Sequence, residues 1–483
     1  MAVSTGDRKL PPRTWSLRAD YPLSIAELPY TCVIGAGSSG IAAAKALHER
    51  GIPFDCFEIS DRVGGNWAFQ NPNGMSSAYR SLHINTSRER MEYADFPMPT
   101  GYPDFPHHTH IARYFNDYVD RFGLRELITF KTGVDHARRR PDGVWDVALS
   151  TGERRLYDAM LVANGHHWDP RWPEPPFPGR FSGEQLHAHH YVDNDPFREK
   201  TVLVVGIGNS AMDIAVESSL VACRTLISSR RGAWILPKYL FGRPLDQIAV
   251  SPLTPLVPFA FRRALLSALY RIGVGRVESY GLPTPDHRIG EAHPTISADF
   301  LSTLAQGEIE WKPNIARLED DRVRFEDGST EQIDTIVWCT GYKVTFPFFD
   351  PTLISAPDND LPLYKRVFKP GIDNLGFIAL LQPLGATMPL AEAQGRWVAA
   401  YLRGEYHLPP VAEMEAVTRR EREQMRRRYV ASKRHTMQVD FDSYLYDLRR
   451  ELRAGTRRAR EAGFRLSVVP RARQPVPISA AAL

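Results

Sequence analysis

The sequence predicts an α/β fold built from two Rossmann-like dinucleotide-binding domains, with the second domain inserted into the first. An apolar strand pattern, a glycine turn and a helical pattern occur in this order at residues 30–59 and again at residues 201–229. A proline-dense segment at residues 169–179 lies between the two units and suits a stiff crossing between domains. No other pattern in the chain repeats as clearly, so these two units define the two domains.

The expected division of the chain follows from the two units. A chain of 483 residues is too long for a single hydrophobic core. The strand pattern DTIVWCTGY is expected to return the chain to the first domain near Ile333. The expected segments are an N-terminal extension (1–28), the first part of the first domain (29–168), the second domain (169–332), the second part of the first domain (333–450), and a C-terminal helix and tail (451–483).

Composition excludes several classes of function. The net charge of +4 is too small to indicate a nucleic-acid surface, and the charges of residues 418–428 alternate as on a solvated helix. The four cysteines are far apart without metal-ligand spacing, so we expect reduced, buried thiols and no metal site. No stretch provides the roughly 20 apolar residues of a transmembrane span. The first 15 residues lack the apolar core of a signal peptide, so we expect a cytoplasmic protein.

The first βαβ unit carries a glycine fingerprint for a dinucleotide. Two glycines allow the tight turn and the approach of a pyrophosphate, the third allows close packing of helix on strand, and the helix N-terminus favours the anion. Glu58, at the end of the next strand, can accept hydrogen bonds from ribose hydroxyls and would repel a 2′-phosphate, so FAD or NAD fits and NADP does not. The residues expected in this turn are Gly35, Gly37, Ser38, Ser39 and Gly40.

The second unit carries a similar fingerprint with different chemistry. Its second strand ends in Ser229, Arg230 and Arg231 instead of an acid, and arginine and hydroxyl groups at that point match a ribose 2′-phosphate. This site is therefore expected to select NADPH, the alternative being that the arginines only form a solvated strand end. The other residues expected to contact this nucleotide are Gly206, Gly208, Asn209, Ser210, Ala211 and Asp213.

Two nucleotides in one chain indicate electron transfer from NADPH to a tightly bound flavin. The enzymes that fit are flavin reductases, disulfide reductases and flavin monooxygenases. Disulfide reductases require a closely spaced pair of redox cysteines, which this sequence lacks.

Between the two units, FSGEQLHAHHY places Phe181, Gly183, His187 and Tyr191 in the spacing F-x-G-x-x-x-H-x-x-x-Y. With this fingerprint the chain resembles the flavin-containing monooxygenases, single-chain enzymes that depend on FAD and NADPH, over about residues 28–448. Four further segments resemble family motifs: GGNW at 64–67, SLHINTSRERMEYADFPMP at 81–99, CTGY at 339–342, and LLQPLGATMPLAEAQGRW at 380–397.

The resemblance implies a function and further site residues. NADPH would reduce FAD, oxygen would form a C4a-hydroperoxyflavin, and this species would oxygenate a small soft nucleophile containing nitrogen or sulfur. The segment 81–99 would form an active-site strand and loop, on which the amide of Asn85 would bridge the flavin peroxide and the nicotinamide. Further FAD contacts would come from Gly65, Asn66, Trp67, Thr86 and Gln382.

Several alternatives remain open at this stage. Baeyer–Villiger oxygenation of ketones is the second reading, although families committed to it end the fingerprint in Trp where this chain has Tyr191. A non-oxygenating reductase or oxidase is the third. His187 suits a hinge or core position better than an acid–base role. The amphipathic segment 258–273 could pack on its own domain, touch a bilayer or line a substrate entrance. The sequence leaves the oligomeric state open, with a homodimer as one alternative.

Overall fold

The computed structural model describes residues 27–248, 257–429 and 435–471. Nearly all of the expected N-terminal extension (1–28) and the tail beyond residue 471 lie outside the described residues.

Within these ranges the chain forms strands and helices in the alternation that the sequence predicts. The strands are β1 (Thr31–Ile34), β2 (Phe54–Phe57), β3 (Ile128–Thr129), β4 (Val134–Arg139), β5 (Trp145–Leu149), β6 (Arg154–Tyr157), β7 (Ala159–Val162), β8 (Asp169–Pro170), β9 (Gly179–Phe181), β10 (Glu184–His187), β11 (Thr201–Val205), β12 (Arg224–Ser228), β13 (Ile235–Leu236), β14 (Tyr239–Leu240), β15 (Arg243–Pro244), β16 (Thr295–Ile296), β17 (Glu310–Lys312), β18 (Ile315–Asp320), β19 (Arg322–Phe325), β20 (Thr330–Gln332), β21 (Thr335–Trp338), β22 (Tyr342–Lys343), β23 (Phe368–Lys369), β24 (Ile372–Phe377), β25 (Gln382–Leu384) and β26 (Gln438–Asp440). The helices are α1 (Ser38–His48), α2 (Arg88–Met91), α3 (His108–Arg121), α4 (Asn209–Ser219), α5 (Phe259–Gly273), α6 (Phe300–Ala305), α7 (Met388–Leu402), α8 (Val411–Arg428) and α9 (Phe441–Glu461).

The first domain is organised around a six-stranded sheet with the order β23-β24-β7-β1-β2-β3. All neighbours in it are parallel except β23 and β24. Every residue of β1 and β7 is buried, as expected for central strands covered on both faces. The first predicted βαβ unit, β1-α1-β2, lies in this sheet.

The second domain contains a five-stranded parallel sheet with the order β10-β21-β11-β12-β17. The second predicted unit, β11-α4-β12, lies at its centre. Its apolar strand TVLVV is buried from Val202 onward, with α4 packed on one face.

The return crossing differs from the expected boundary at residue 333. The pattern DTIVW forms β21, which pairs with β10 and β11 and therefore belongs to the second sheet. The chain leaves this sheet only after Trp338. It then forms β22, which pairs antiparallel with β8 on the outgoing crossing, so the two crossings lie side by side. The expected boundary between residues 450 and 451 falls inside a helix, because α9 is continuous from Phe441 to Glu461.

The amphipathic segment at 258–273 forms α5. Its Tyr270 is buried and stands edge-on to Trp234, with ring centroids 5.3 Å apart, so the helix packs on its own domain. Phe261 and Ile272 remain 66% and 74% exposed. Over the described ranges, none of the helices is both long enough and apolar enough to cross a bilayer.

The cysteines of the described chain are free thiols. Cys32 and Cys56 are buried in neighbouring strands of the first sheet, as expected, and Cys339 is half-buried. Cys223 is exposed, contrary to the expectation, because it lies in the turn between α4 and β12.

Helices α1 and α7 pack closely on one face of the first sheet, and small residues set their separation. A Cβ atom placed on Gly395 in α7 would lie 3.1 Å from Ala43 Cα and 3.2 Å from the Ala42 carbonyl oxygen in α1. Both neighbours are backbone atoms, which cannot move away independently of the helix.

We therefore expect Gly395→Val to lower the free energy of unfolding by about 1–3 kcal/mol, the usual penalty for overpacking a core. Thermal and urea unfolding would measure the loss. Gly101→Val is the control, because a Cβ atom at Gly101 meets nothing within 4 Å. If the Gly395 variant were as stable as the Gly101 variant, this helix contact would not be tight.

Candidate functional site

The first predicted glycine turn joins β1 to α1 and is closely surrounded by backbone. Gly35 has φ +99°, and a Cβ atom on Gly40 would lie 1.8 Å from the Gly35 carbonyl oxygen, so only glycine fits either position. Gly65 lies against the same turn, since its Cβ would be 3.1 Å from Gly37 Cα. The fold thus brings together two motifs that are separate in the sequence.

Glu58 lies at the end of β2, beside this turn. Its buried carboxylate accepts hydrogen bonds from the backbone N–H of Ala36 (2.6 Å) and of Ser60 (2.8 Å). Burial raises the pKa of Glu58, while these two donors oppose the rise. A carboxylate offers about four lone-pair positions, so acceptor capacity remains for ribose hydroxyls.

The second turn, between β11 and α4, has the same construction. Gly206 has φ +137°, and a Cβ there would lie 2.5 Å from the carbonyl oxygen of Cys339, the first residue of the CTGY segment. Within the described chain no side chain caps the N-terminus of α1 or of α4. The first N–H groups of both helices are therefore suited to binding a pyrophosphate.

Ser229, Arg230 and Arg231 directly follow β12. Arg230 is exposed, and no described carboxylate forms an ion pair with it. Arg231 lies 3.5 Å from Asp286. The Ser229 hydroxyl accepts a hydrogen bond from Trp311 Nε1 (3.1 Å) and donates one to the Arg231 carbonyl oxygen (3.0 Å), which fixes the strand end.

Asn85 lies in a bend, so the strand expected at this point is absent from the described structure. His83 forms a single antiparallel β-bridge with His107. The backbone groups of Leu82, Ile84 and Arg88 bond to residues 104–108, so no continuous strand forms. The Asn85 amide oxygen is buried and has no hydrogen-bond partner among the described residues. Buried polar atoms in folded proteins are mostly hydrogen-bonded, so this oxygen has an acceptor position available for a ligand or a water.

The second domain contacts the chain on both sides of Asn85. Lys238 Nζ lies 3.4 Å from the Ile84 carbonyl oxygen. On the other side, the Ser87 backbone N–H donates to Asp246 Oδ2 (2.6 Å). Although residue 85 belongs to the first domain in sequence, both domains fix its position.

The other residues expected to contact the flavin differ in their burial and in their hydrogen-bond partners. Asn66 Oδ1 accepts from the backbone N–H (2.9 Å) and hydroxyl (2.8 Å) of Ser77, so this side chain shapes a turn. Trp67 packs against the first hydrophobic core. Thr86 is buried, and Gln382 is half-buried at the start of β25.

Near the second turn, two polar side chains expected to face the nucleotide have partners within the protein. Asn209 Oδ1 accepts from the Ile296 backbone N–H (2.8 Å). Asp213 accepts a hydrogen bond from the Tyr79 hydroxyl of the first domain. The latter contact places Asp213 at the interface between the domains. Ala211 is buried, and Gly208 and Ser210 are half-buried at the helix start.

The fingerprint residues hold the segment between the domains. A Cβ on Gly183 would lie 2.6 Å from the Phe181 ring and from the Asp334 carbonyl oxygen. His187 is fully buried, and its ring contacts Trp172 and Tyr342, which lie on the two crossings. Burial lowers the pKa of His187 to about 4, so the ring is neutral near pH 7.

Sequence reasoning missed Tyr79, Glu217, Lys238 and Asp246. Tyr79 is buried, and Glu217 accepts from the Tyr191 hydroxyl at 2.5 Å. The spacing of Asp213 and Glu217, four residues apart on one helix, was the available signal that two acids share a face.

One largely parallel sheet and one fully parallel sheet each carry a tight glycine turn at a helix N-terminus. This construction is that of an oxidoreductase with two dinucleotide-binding domains. Comparison with known proteins specifies the family. A family model described as flavin-binding monooxygenase-like matches residues 30–457. The chain therefore belongs to the flavin-binding monooxygenase-like family and is a flavin monooxygenase.

Individual relatives agree with this assignment. Flavin-containing monooxygenase 5 of Rattus norvegicus is 39% identical over 427 residues, which are 85% of this chain and 80% of the relative. Dimethylaniline monooxygenase [N-oxide-forming] 2 of the same species is 34% identical over 440 residues, covering 87% and 82%. A solved structure of oxidised steroid monooxygenase bound to NADP shares the fold, with a TM-score of 0.66, 19% identity and coverage of 92% and 100%.

The environment of Asp213 predicts a specific pH dependence of stability. Burial is the largest effect and raises its pKa from 3.8 to about 6; Tyr79 and Lys238 oppose the rise, whereas Glu217 and Asp299 add to it. Because the folded-state pKa lies above the unfolded value, the favourable contribution of the protonated form is complete below about pH 4. It is lost as the pH rises through about 6.

We expect Asp213→Asn to gain stability relative to the parent between pH 4 and pH 6, by up to about 3 kcal/mol, since one pKa unit corresponds to about 1.4 kcal/mol. Melting temperatures of both proteins from pH 4 to 8 would show a difference that grows and then levels off. Asp195→Asn, at an exposed position, controls for the removal of a surface charge. A difference in melting temperature between Asp213→Asn and the parent that does not change with pH would contradict the raised pKa of Asp213.

Proposed function

We propose that this flavin monooxygenase uses FAD and NADPH to oxygenate small soft nucleophiles containing nitrogen or sulfur. The single observation that carries the proposal is the unpartnered amide oxygen of Asn85, on a segment held by both nucleotide-binding domains. The name of the N-oxide-forming relative supports nitrogen as a target atom.

FAD is assigned to the first turn and NADPH to the second. A buried carboxylate at Glu58 favours ribose hydroxyls and disfavours a 2′-phosphate, whereas the exposed guanidinium of Arg230 suits the 2′-phosphate of NADPH. The NADP bound to the similarly folded steroid monooxygenase supports the second assignment. On this basis the first domain is the FAD-binding domain and the inserted second domain is the NADPH-binding domain.

The bound flavin would supply electron transfer from NADPH and the activation of oxygen. The protein's own residues then have three tasks. The glycine turns and helix N-termini bind the two pyrophosphates, Asn85 orients the reacting groups, and the second-domain contacts beside Asn85 limit the access of water. Asn85 can both donate and accept hydrogen bonds through its amide, so it can contact two different polar partners at once. His187 is buried between the two crossings, so no acid–base role is assigned to it.

The activity test is NADPH and oxygen consumption with product analysis, using a panel of tertiary amines, sulfides and ketones. We expect N-oxides or sulfoxides in about one-to-one ratio to the NADPH consumed. Esters or lactones formed only from the ketones would establish Baeyer–Villiger oxygenation instead. NADPH consumption that yields hydrogen peroxide with every substrate would show a reductase or oxidase.

Nucleotide selection is tested by Arg230→Ala. A charge-assisted contact to the 2′-phosphate contributes about 1.5–3 kcal/mol, so the KM for NADPH should rise about ten- to a hundredfold while the KM for NADH stays nearly constant. Steady-state kinetics with both nucleotides measures this ratio. Arg271→Ala, at another exposed arginine of the second domain, is the matched control. An equal loss with NADPH and NADH would refute the role of Arg230.

A further inference from the structure

Helix α4 presents two acids toward the first domain, in addition to the turn at its N-terminus. Asp213 and Glu217 are four residues apart and therefore share a face. The Tyr79 hydroxyl donates to Asp213. Glu217 accepts from two donors, the Tyr191 hydroxyl at 2.5 Å and the Ser81 hydroxyl. The five residues Tyr79, Ser81, Tyr191, Asp213 and Glu217 are called the latch below.

The chain after the fingerprint reinforces the latch. The Arg80 backbone N–H donates to the Val192 carbonyl oxygen (2.8 Å), and the Arg80 guanidinium pairs with Asp193 (2.9 Å). The rings of Tyr79 and Tyr191 also pack together, with centroids 5.7 Å apart. Residues 79–81 are thus fastened to the second domain by backbone, ring and charged contacts together.

The fastened segment continues directly into Asn85. Only three residues separate Ser81 from Asn85, and their backbone is further fixed by the hydrogen bond from the His108 N–H to the Leu82 carbonyl oxygen (2.8 Å). A movement of α4 relative to the first domain would therefore be transmitted to Asn85 over a short, restrained stretch. The other end of α4 forms the second glycine turn, so one rigid helix joins that turn to Asn85.

We propose that the latch positions Asn85 relative to the nucleotide bound at the second turn, and that Tyr191 acts in the reaction through Glu217 as a positioning residue. This inference rests on the proposed function. The hydroxyl of Tyr191 is the group that acts, through its hydrogen bond to Glu217. A phenylalanine would fill the same buried space without this bond.

The test compares Tyr191→Phe, Tyr79→Phe and Ser81→Ala with the parent enzyme. We expect each to retain flavin and to consume NADPH with a KM within about twofold. The rate of hydrogen peroxide release should rise about ten- to a hundredfold, as for the loss of one hydrogen bond to a charged group. Tyr118→Phe is the matched control, because Tyr118 is equally buried and its hydroxyl has no partner among the described residues. It should remain coupled.

Asn85→Ala provides the reference phenotype, with FAD retained, NADPH consumed and peroxide released. If the latch acts through Asn85, the double variant with Tyr191→Phe should release no more peroxide than Asn85→Ala alone. Additive effects, a fully coupled Tyr191→Phe enzyme, or a change confined to the KM for NADPH would overturn the inference.

Hydrogen exchange supplies a readout that does not depend on activity. Exchange of the backbone amides in residues 79–87 should be faster in Tyr191→Phe and Ser81→Ala and unchanged in Tyr118→Phe. Unchanged exchange of residues 79–87 in both Tyr191→Phe and Ser81→Ala would overturn the inference. A parent enzyme that makes no oxygenated product would refute the proposed function, whereas a coupled parent with equally coupled latch variants would refute the latch alone.

Discussion

The structure depends on one topological constraint, the need to leave the first domain and return to it at the same place. β8 and β22 meet this need by pairing with each other, and Arg171 extends the pairing through a hydrogen bond from its N–H to the Gly341 carbonyl oxygen (2.9 Å). His187 packs against Trp172 on one crossing and Tyr342 on the other. Because the two crossings are held together, the two glycine turns and the segment that carries Asn85 keep fixed positions relative to each other.

The sequence was informative wherever the deciding interactions are local. Each βαβ unit is specified by a buried strand, a glycine turn and a helix within about 30 residues, and both units form as predicted. The return boundary was wrong because TIVW in β21 is buried on both faces and would suit the centre of either sheet. Its partners, β10 and β11, lie more than 100 residues earlier in the chain, and a single sequence does not identify them.

The same distinction applies to the site. Gly35, Gly40 and Gly206 were identifiable because close backbone approach admits only glycine. Asn85 was predicted to lie in a strand, but its neighbours Leu82, Ile84 and Arg88 bond to the loop at residues 104–108, and a single sequence does not reveal this pairing. Asp213 was assigned to the nucleotide from its place near the helix start. Its hydrogen bond from Tyr79, a residue 134 positions away, was not predictable because it arises from domain packing.

The fixed orientation of Glu58 affects how a nucleotide would bind at the first glycine turn. Its carboxylate is already oriented by the N–H groups of Ala36 and Ser60, which are contacts the chain makes by itself. Binding then immobilises little additional side-chain freedom, and affinity arises from preorganisation more than from induced closure. On the proposed assignment, such a site would favour a long residence time for the first nucleotide. The second nucleotide, bound beside the exposed Arg230, would exchange more readily.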